Sequence, residues 1–189
     1  MNQTLSRLFA AAAMIVSTAW ASEIPSHEPR FNRQRPIVAV VGYNASTEVT
    51  DYVVPYGILS ASGVADVVAL ATGEGPIKMS PALRFQAQAT TKQFDARVPE
   101  GADYVIVPNV YEGAKDPMML DWVRRQAGRG ATIVGICDGV PVLANAGLLK
   151  EHRATAHWNT IDGLERTHNK TQLATPLPGS DGNNPDNTD

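Results

Sequence analysis

Cysteine is almost absent from this chain: Cys137 is the single copy among 189 residues. One cysteine excludes an internal disulfide. The chain has no large excess of positive or negative charge, because its formal net charge is only −3 and no basic cluster occurs. Nucleic acid and an anionic membrane are therefore not expected as partners. The four histidines show no metal-ligand spacing, so we expect neither a metal nor another cofactor.

Long hydrophobic runs are confined to the N-terminus, where Leu8 to Trp20 follows the single charge of Arg7. Small residues at Ala19 and Ala21 frame a peptidase site, which predicts a signal peptide over residues 1–21 and a mature start at Ser22. The alternative is a buried helix or an uncleaved anchor. We expect export, to a bacterial periplasm or beyond, and no membrane contact once the signal is removed.

The remainder divides into three parts by composition. Residues 22–35 are polar and carry two prolines, which is typical of a linker. Residues 36–168 contain the apolar runs of one globular domain. Residues 169–189 have no periodicity and are rich in Asn, Pro, Gly and Asp, so we predict a disordered tail.

Apolar runs alternate with helical patterns through the domain. Strands are predicted at 36–42, 64–71, 102–108, 132–136 and 153–158, and a hairpin is predicted around Ser80-Pro81. Helices are predicted from Ser46 or Thr47 to Gly63, with a kink at Pro55, and over 118–128. This alternation predicts an α/β three-layer sandwich with a mainly parallel, doubly wound sheet that is covered on both sides. Sites in such sheets lie at the carboxyl ends of the strands.

The strongest motif lies where the fourth of these strands meets a helical pattern. Gly135, Cys137 and Gly139 have the G-x-C-x-G spacing of a nucleophile elbow, in which glycines let the turn clear its neighbours. A cysteine at a helix N-terminus is favoured as the reactive thiolate. The alternative is a buried cysteine that acts as a small hydrophobic residue.

The chain resembles the ThiJ/PfpI family, which has the class I glutamine amidotransferase-like fold. The resemblance covers roughly 36–158. Within the family, the chain is most similar to the amidase-like sensor domains of AraC-type regulators and to isonitrile hydratases. The resemblance rests on the elbow and on two further motifs, LANAGLL at 143–149 and RATAHW at 153–158. A weaker match, EVTDYVVP at 48–55, implies that Asp51 is the acidic residue that reaches Cys137, with Glu48 as its rival.

Further site residues are predicted around this pair. The backbone N–H of Asp138 is placed to stabilise an oxyanion, as the residue after the nucleophile does in elbows. Asn109 is a candidate amide donor for a substrate, or an ordinary turn residue. His157 is a candidate ligand contact, or a packed histidine. Gly135 and Gly139 complete the predicted substrate-binding set.

The chain departs from the family pattern at three places. Asp138 replaces the histidine that follows the cysteine in the proteolytic branch, and Asn109-Val110 replaces a pair of glycines. The further strand and helix that follow the His-Trp motif in the family are replaced by a polar tail. We therefore expect a domain that is either truncated or diverged at its C-terminal end.

Three functions follow from these features. The first is a cysteine-dependent hydrolase or lyase-like enzyme that acts on a small carbonyl, amide or isonitrile compound. The second is a sensor domain that binds a small-molecule ligand without turnover, and the third is a thiol redox sensor. The sequence leaves the oligomeric state open, with a homodimer as one option.

Overall fold

The computed structural model describes residues 30–167 and 172–173. Its helices are α1 (Val49–Ser62), α2 (Thr91–Arg97), α3 (Pro117–Gly128), α4 (Val140–Asn145) and α5 (Trp158–Thr167). Its strands are β1 (Ile37–Gly42), β2 (Thr47–Glu48), β3 (Asp66–Ala71), β4 (Ile77–Ser80), β5 (Leu83–Phe85), β6 (Ala89–Thr90), β7 (Tyr104–Val107), β8 (Thr132–Gly135), β9 (Arg153–Ala154) and β10 (Gln172–Leu173).

Five strands form the central sheet in the order β6-β3-β1-β7-β8, and all of its neighbouring pairs are parallel. The order runs outward in both directions from β1, which is the doubly wound arrangement. Helix α1 packs on one face, and α2, α3 and α4 pack on the other. The predicted α/β fold is confirmed.

Alternate residues of β1 supply the two cores. Ala39 and Val41 face the α2–α4 side, where Trp122 is fully buried. Val38 and Val40 face the α1 side and pack with Tyr52, whose hydroxyl donates to the carbonyl of Leu70. Since both faces of β1 are buried, its sequence shows a continuous apolar run instead of an alternation.

The expectation that the sheet is covered on both sides is wrong at β8. This strand is the edge of the sheet, and the side chain of Val134 is 39% exposed. The reason is the position of α1, which packs against β1 and β3 and does not extend over β8.

Several predicted boundaries change. Glu48 caps α1 in place of Ser46 or Thr47, and α1 continues past Pro55 to Ser62. The predicted strand 153–158 is reduced to the two residues of β9, because α5 already begins at Trp158. Helices α2 and α5 were not predicted. The hairpin around Ser80-Pro81 is confirmed as β4 and β5.

The ends of the chain lie mostly outside the described residues, including the predicted signal peptide 1–21. The last part of the predicted linker is held against the domain: Arg33 pairs with the buried Asp103, and Arg30 donates to the carbonyl of Gly130. Within the predicted tail, β10 pairs with β9. None of the helices in the described ranges is long and apolar enough to span a membrane.

Candidate active site at the Cys137 elbow

Cys137 lies at a sharp turn between β8 and α4. The turn begins where the Ile136 N–H donates to the carbonyl of Val107 at 2.9 Å. Cys137 then takes φ = +53°, a conformation that is uncommon for a residue with a side chain and is a feature of strained functional turns. Its side chain is exposed. The predicted strand–turn–helix geometry is therefore present, with the thiol at the carboxyl edge of the sheet.

Close packing requires a glycine at position 139 and leaves little room for a side chain at Gly135. A Cβ at Gly139 would lie 2.0 Å from the carbonyl oxygen of Val107, and one at Gly135 would lie 3.1 Å from the backbone nitrogen of Val140. These distances support the structural reason given for the glycines. Contact of either glycine with a substrate stays a prediction.

Asp51 comes to the same edge from the first turn of α1. Its carboxylate accepts a hydrogen bond of 3.1 Å from the backbone N–H of Asn109. Its negative charge acts on the Cys137 thiol, but no hydrogen bond joins the two side chains in the described part of the chain. The hydrogen bond that we predicted between them is not formed, although the two groups are close enough to interact electrostatically.

Glu48, which the sequence offered as an alternative to Asp51, is the N-cap residue of α1. Its carboxylate accepts from the Asp51 backbone N–H and from the Thr50 hydroxyl, both at 2.7 Å. Glu48 thus caps α1 and fixes the turn that carries Asp51. It contributes a second negative charge near Cys137.

The electrostatics of the elbow favour the neutral thiol. Although the side chain is exposed overall, partial burial of the thiol raises the pKa of Cys137, and the charges of Asp51, Asp138 and Glu48 raise it further, while a hydrogen bond from the Asp138 backbone N–H lowers it. The direction of this shift is opposite to that of the low-pKa thiolate predicted from the sequence. The helix that follows has only six residues. The positive field at its N-terminus favours the thiolate, and the negative charges of the three carboxylates oppose it.

Asp51 also holds its proton more tightly than an ordinary aspartate. Burial raises its pKa, and the charges of Glu48 and Asp138 add to this effect. The hydrogen bond from Asn109 and the proximity of His157 lower the pKa and oppose the shift. A raised pKa brings the Asp51 carboxyl closer to the range in which a carboxylic acid can donate as well as accept a proton, which general acid–base chemistry requires.

Asn109 is tied into the loop that follows β7. Its backbone N–H is taken by Asp51, and its side-chain oxygen accepts from the Tyr111 N–H at 2.8 Å. Its carbonyl accepts from the Glu48 N–H, also at 2.8 Å. Asn109 therefore stabilises the turn after β7. Its side-chain NH₂ group is the donor that could bind a substrate.

Thr160 connects Asp138 with His157 at the elbow. The Thr160 hydroxyl lies 2.6 Å from an Asp138 carboxylate oxygen and 2.9 Å from the His157 carbonyl oxygen. The His157 ring accepts from the Asn159 N–H and lies 5.2 Å from the ring of Trp158. Thr160 was not among the predicted site residues, since nothing in its local pattern connects it with a residue 22 positions away.

No three His, Cys, Asp or Glu side chains within residues 30–167 are grouped so as to hold a metal ion. Asp51, Asp138 and Glu48 surround the thiol with negative charge, but each carboxylate of this trio has a protein hydrogen-bond partner.

The sequence pattern of the DJ-1/PfpI family matches residues 37–174. The chain belongs to the DJ-1/PfpI family. It is 31% identical over 113 residues to the isonitrile hydratase of Pseudomonas putida, which covers 58% of this chain and 47% of that enzyme. It is 38% identical over 69 residues to the HTH-type transcriptional regulator CdhR of Pseudomonas aeruginosa, which covers 36% of this chain and 20% of the regulator. The chain therefore spans less than half the length of these relatives.

Solved structures of the family share the fold. Drosophila melanogaster DJ-1beta matches 75% of this chain and 75% of its own with a TM-score of 0.65 at 18% identity. A two-domain protein of Anabaena variabilis, with a DJ-1/ThiJ/PfpI-like and a ferritin-like domain, matches 75% of this chain and 40% of its own with a TM-score of 0.64 at 21% identity.

Proposed function

We propose that this DJ-1/PfpI protein is an exported, cysteine-dependent enzyme that adds Cys137 to the electrophilic carbon of a small compound. An isonitrile is the preferred substrate, and a carbonyl or amide compound is the alternative. The observation that carries the proposal is the exposed Cys137 at positive φ beside Asp51, whose charge interacts with it. The similarity to an isonitrile hydratase supports the choice of substrate.

The reaction starts from a neutral thiol, because partial burial of the otherwise exposed side chain and the neighbouring carboxylates raise the pKa of Cys137. Asp51 removes the thiol proton as sulfur bonds to the isonitrile carbon, and it then delivers that proton to the same carbon. The product of this step is a thioimidate. Water adds to its carbon, the carbon–sulfur bond breaks, and a formamide leaves as the thiol is restored. The Asp138 N–H is on hand to stabilise charge that develops at the elbow.

Proton NMR of the protein with a small alkyl isonitrile tests the reaction through the formamide signal. Cys137→Ala should remove formation of the formamide altogether. Asp51→Asn keeps the hydrogen bond from Asn109 but cannot carry the proton, so the rate should fall by about 100-fold or more. Asp121→Asn, at an exposed surface carboxylate, is the matched control. Equal turnover in wild type and Cys137→Ala would refute the proposal.

A second candidate is a ligand-binding domain without turnover. The raised pKa of Cys137 and the use of the Asn109 N–H by Asp51 both favour binding over catalysis. The match to part of a transcriptional regulator supports the same interpretation. Calorimetry that finds isonitrile binding to wild type and Cys137→Ala alike, with no formamide produced, would select this candidate. The redox-sensor hypothesis is weakened, because a raised thiol pKa leaves less of the oxidisable thiolate.

Export is proposed from the N-terminal sequence alone. Cell fractionation and mass spectrometry should find the protein in the periplasm with Ser22 as its first residue. A periplasmic or cytoplasmic protein that retains Met1 to Ala21 would contradict cleavage at this site.

A further inference from the structure

An open polar depression lies between the β4–β5 hairpin, the loop before β2 and the turn at Tyr111–Lys115. Its volume is about 450 Å³, which lies within the range of about 300–1,000 Å³ for small-molecule pockets. Its polar lining residues are Ser46, Lys78, Ser80, Tyr111 and Glu112. None of these side chains has a part in the candidate site at Cys137, so the depression is a separate feature of the surface.

The walls of the depression are fixed by the backbone. Strand β2 pairs with β4, and the Lys78 N–H donates to the carbonyl of Asn44 at 2.9 Å. The Ser46 hydroxyl donates to the carbonyl of Val110 at 3.1 Å, which ties the loop before β2 to the turn on the other side. A ligand therefore meets walls that are already in place, and their ordering does not reduce its affinity.

Tyr111 forms the rim in an uncommon backbone conformation. Its φ is +45°, which is a genuine outlier for a bulky residue, and its N–H donates to the Asn109 side-chain oxygen at 2.8 Å. The turn packs closely on Tyr43, since a Cβ at Gly113 would lie 2.6 Å from the Tyr43 ring. Tyr111 itself remains 46% exposed. Backbone strain of this kind occurs at ligand clamps, and an exposed aromatic ring attracts a ligand cation.

Two opposite charges of the lining have no partner within residues 30–167. The Lys78 ammonium and the Glu112 carboxylate form no ion pair or hydrogen bond there, either with each other or with another residue. By contrast, the carboxylate of Glu48 on the neighbouring strand accepts two hydrogen bonds at the start of α1. Since Lys78 and Glu112 are the charged residues of the lining, a ligand with one charge meets both an attractive and a repulsive group.

We propose that this depression binds a small zwitterion, a free molecule with one ammonium and one carboxylate group. The carboxylate pairs with Lys78, and the ammonium lies between Glu112 and the ring of Tyr111. The hydroxyl of Ser80 is a further hydrogen-bonding group in the lining. An exposed ion pair changes affinity by at most about fivefold, so we expect binding in the millimolar range.

The depression is linked to the candidate site through Asn109. This residue accepts from the Tyr111 N–H and donates its own N–H to Asp51. The proposal nevertheless does not depend on turnover, because binding of the zwitterion is measured directly, whether or not Cys137 reacts.

Proton–nitrogen NMR of the protein, titrated with glycine and 4-aminobutyrate to about 50 mM at constant ionic strength, tests the binding. The two zwitterions differ in charge separation, while butyrate and butylamine carry one charge each. We expect saturable shifts at Lys78, Ser80 and Glu112 with at least one zwitterion, and about fivefold weaker binding of the single-charge compounds. No saturable shift with either zwitterion, or equal binding of butyrate and butylamine, would overturn the proposal.

Two variants separate the charges. Lys78→Met and Glu112→Gln should each weaken binding of the zwitterion by about fivefold. Glu112→Gln should strengthen binding of butyrate, because it removes the like charge, whereas Lys78→Met should weaken it. Lys92→Met and Glu165→Gln are the matched controls, since both residues are exposed and lie outside the lining. An equal loss of affinity in the controls, or weaker butyrate binding in Glu112→Gln, would overturn the proposal.

Discussion

The elbow makes its sharpest prediction at Gly139. This residue has φ = −70° and ψ = −23°, which any L-amino acid adopts without strain. An alanine Cβ would nevertheless lie 2.0 Å from the Val107 carbonyl oxygen and 2.9 Å from that of Pro108. Real Cβ contacts begin near 3.0 Å, so the elbow has to move by about 1 Å from the end of β7. We expect Gly139→Ala to lower the free energy of unfolding by about 3 kcal/mol.

Gly63 is the control that separates this clash from backbone strain. It has φ = +68°, and a Cβ added there would have nothing within 4 Å, so alanine meets only the left-handed conformation. Gly63→Ala should cost about 1 kcal/mol. Urea denaturation followed by fluorescence of the buried Trp122 measures both values. A cost for Gly139→Ala that is no greater than that of Gly63→Ala would refute the clash.

The alkylation rate of Cys137 adds a local readout. A displaced elbow changes the position of the thiol relative to Asp51, so Gly139→Ala should alter the pH dependence of alkylation. Gly63 lies at the far end of α1 from Asp51, and its substitution should leave that dependence unchanged.

Three further predictions concern the charges of the structure. Asp51→Asn should lower the thiol pKa of Cys137, because it removes a negative charge that opposes the thiolate; an unchanged or higher midpoint in the pH profile of alkylation would count against this. The folded-state pKa of Asp51 is raised above its unfolded value, so the ionised carboxylate lowers the free energy of unfolding. Asp51→Asn should therefore raise the free energy of unfolding at pH values above the raised pKa, and this increase should vanish as the pH falls toward the unfolded pKa. An increase that is larger in acid would contradict the predicted pH dependence. Asp103→Asn breaks a buried ion pair with Arg33 and should cost about 3 kcal/mol, whereas Asp66→Asn, in an exposed pair with Arg35, should cost less than about 1 kcal/mol in the same denaturation assay.

The architecture of the domain could be predicted from the amino-acid sequence. The runs that became β1, β3 and β7 are apolar because they lie in the centre of a parallel sheet, and such runs are visible without knowledge of their neighbours. The elbow was equally visible, because its spacing of two glycines around Cys137 is a local demand of a tight turn. Since β1 and β8 both end at the same edge, topology brings the loop after β1 beside Cys137. The choice of Asp51 in that region came from the resemblance to the ThiJ/PfpI family.

The direction in which the site shifts the pKa of the Cys137 thiol could not be predicted from the sequence. A helix start next to cysteine suggested a thiolate, but burial and three carboxylates raise the thiol pKa instead. Two of those carboxylates, Glu48 and Asp51, come from the start of α1, and packing of that helix brings them to the sulfur of Cys137. The same holds for Thr160, which reaches Asp138 from α5.

Packing also decided which apolar residues are covered. Val134 belongs to a run that looks fully buried in the sequence, yet β8 is an edge strand and α1 lies over β1 and β3. Hydrophobic periodicity reports that a side chain is suited to burial. It does not report which element, or which molecule, covers that side chain, because strand order and helix placement are set by contacts between segments distant in the chain.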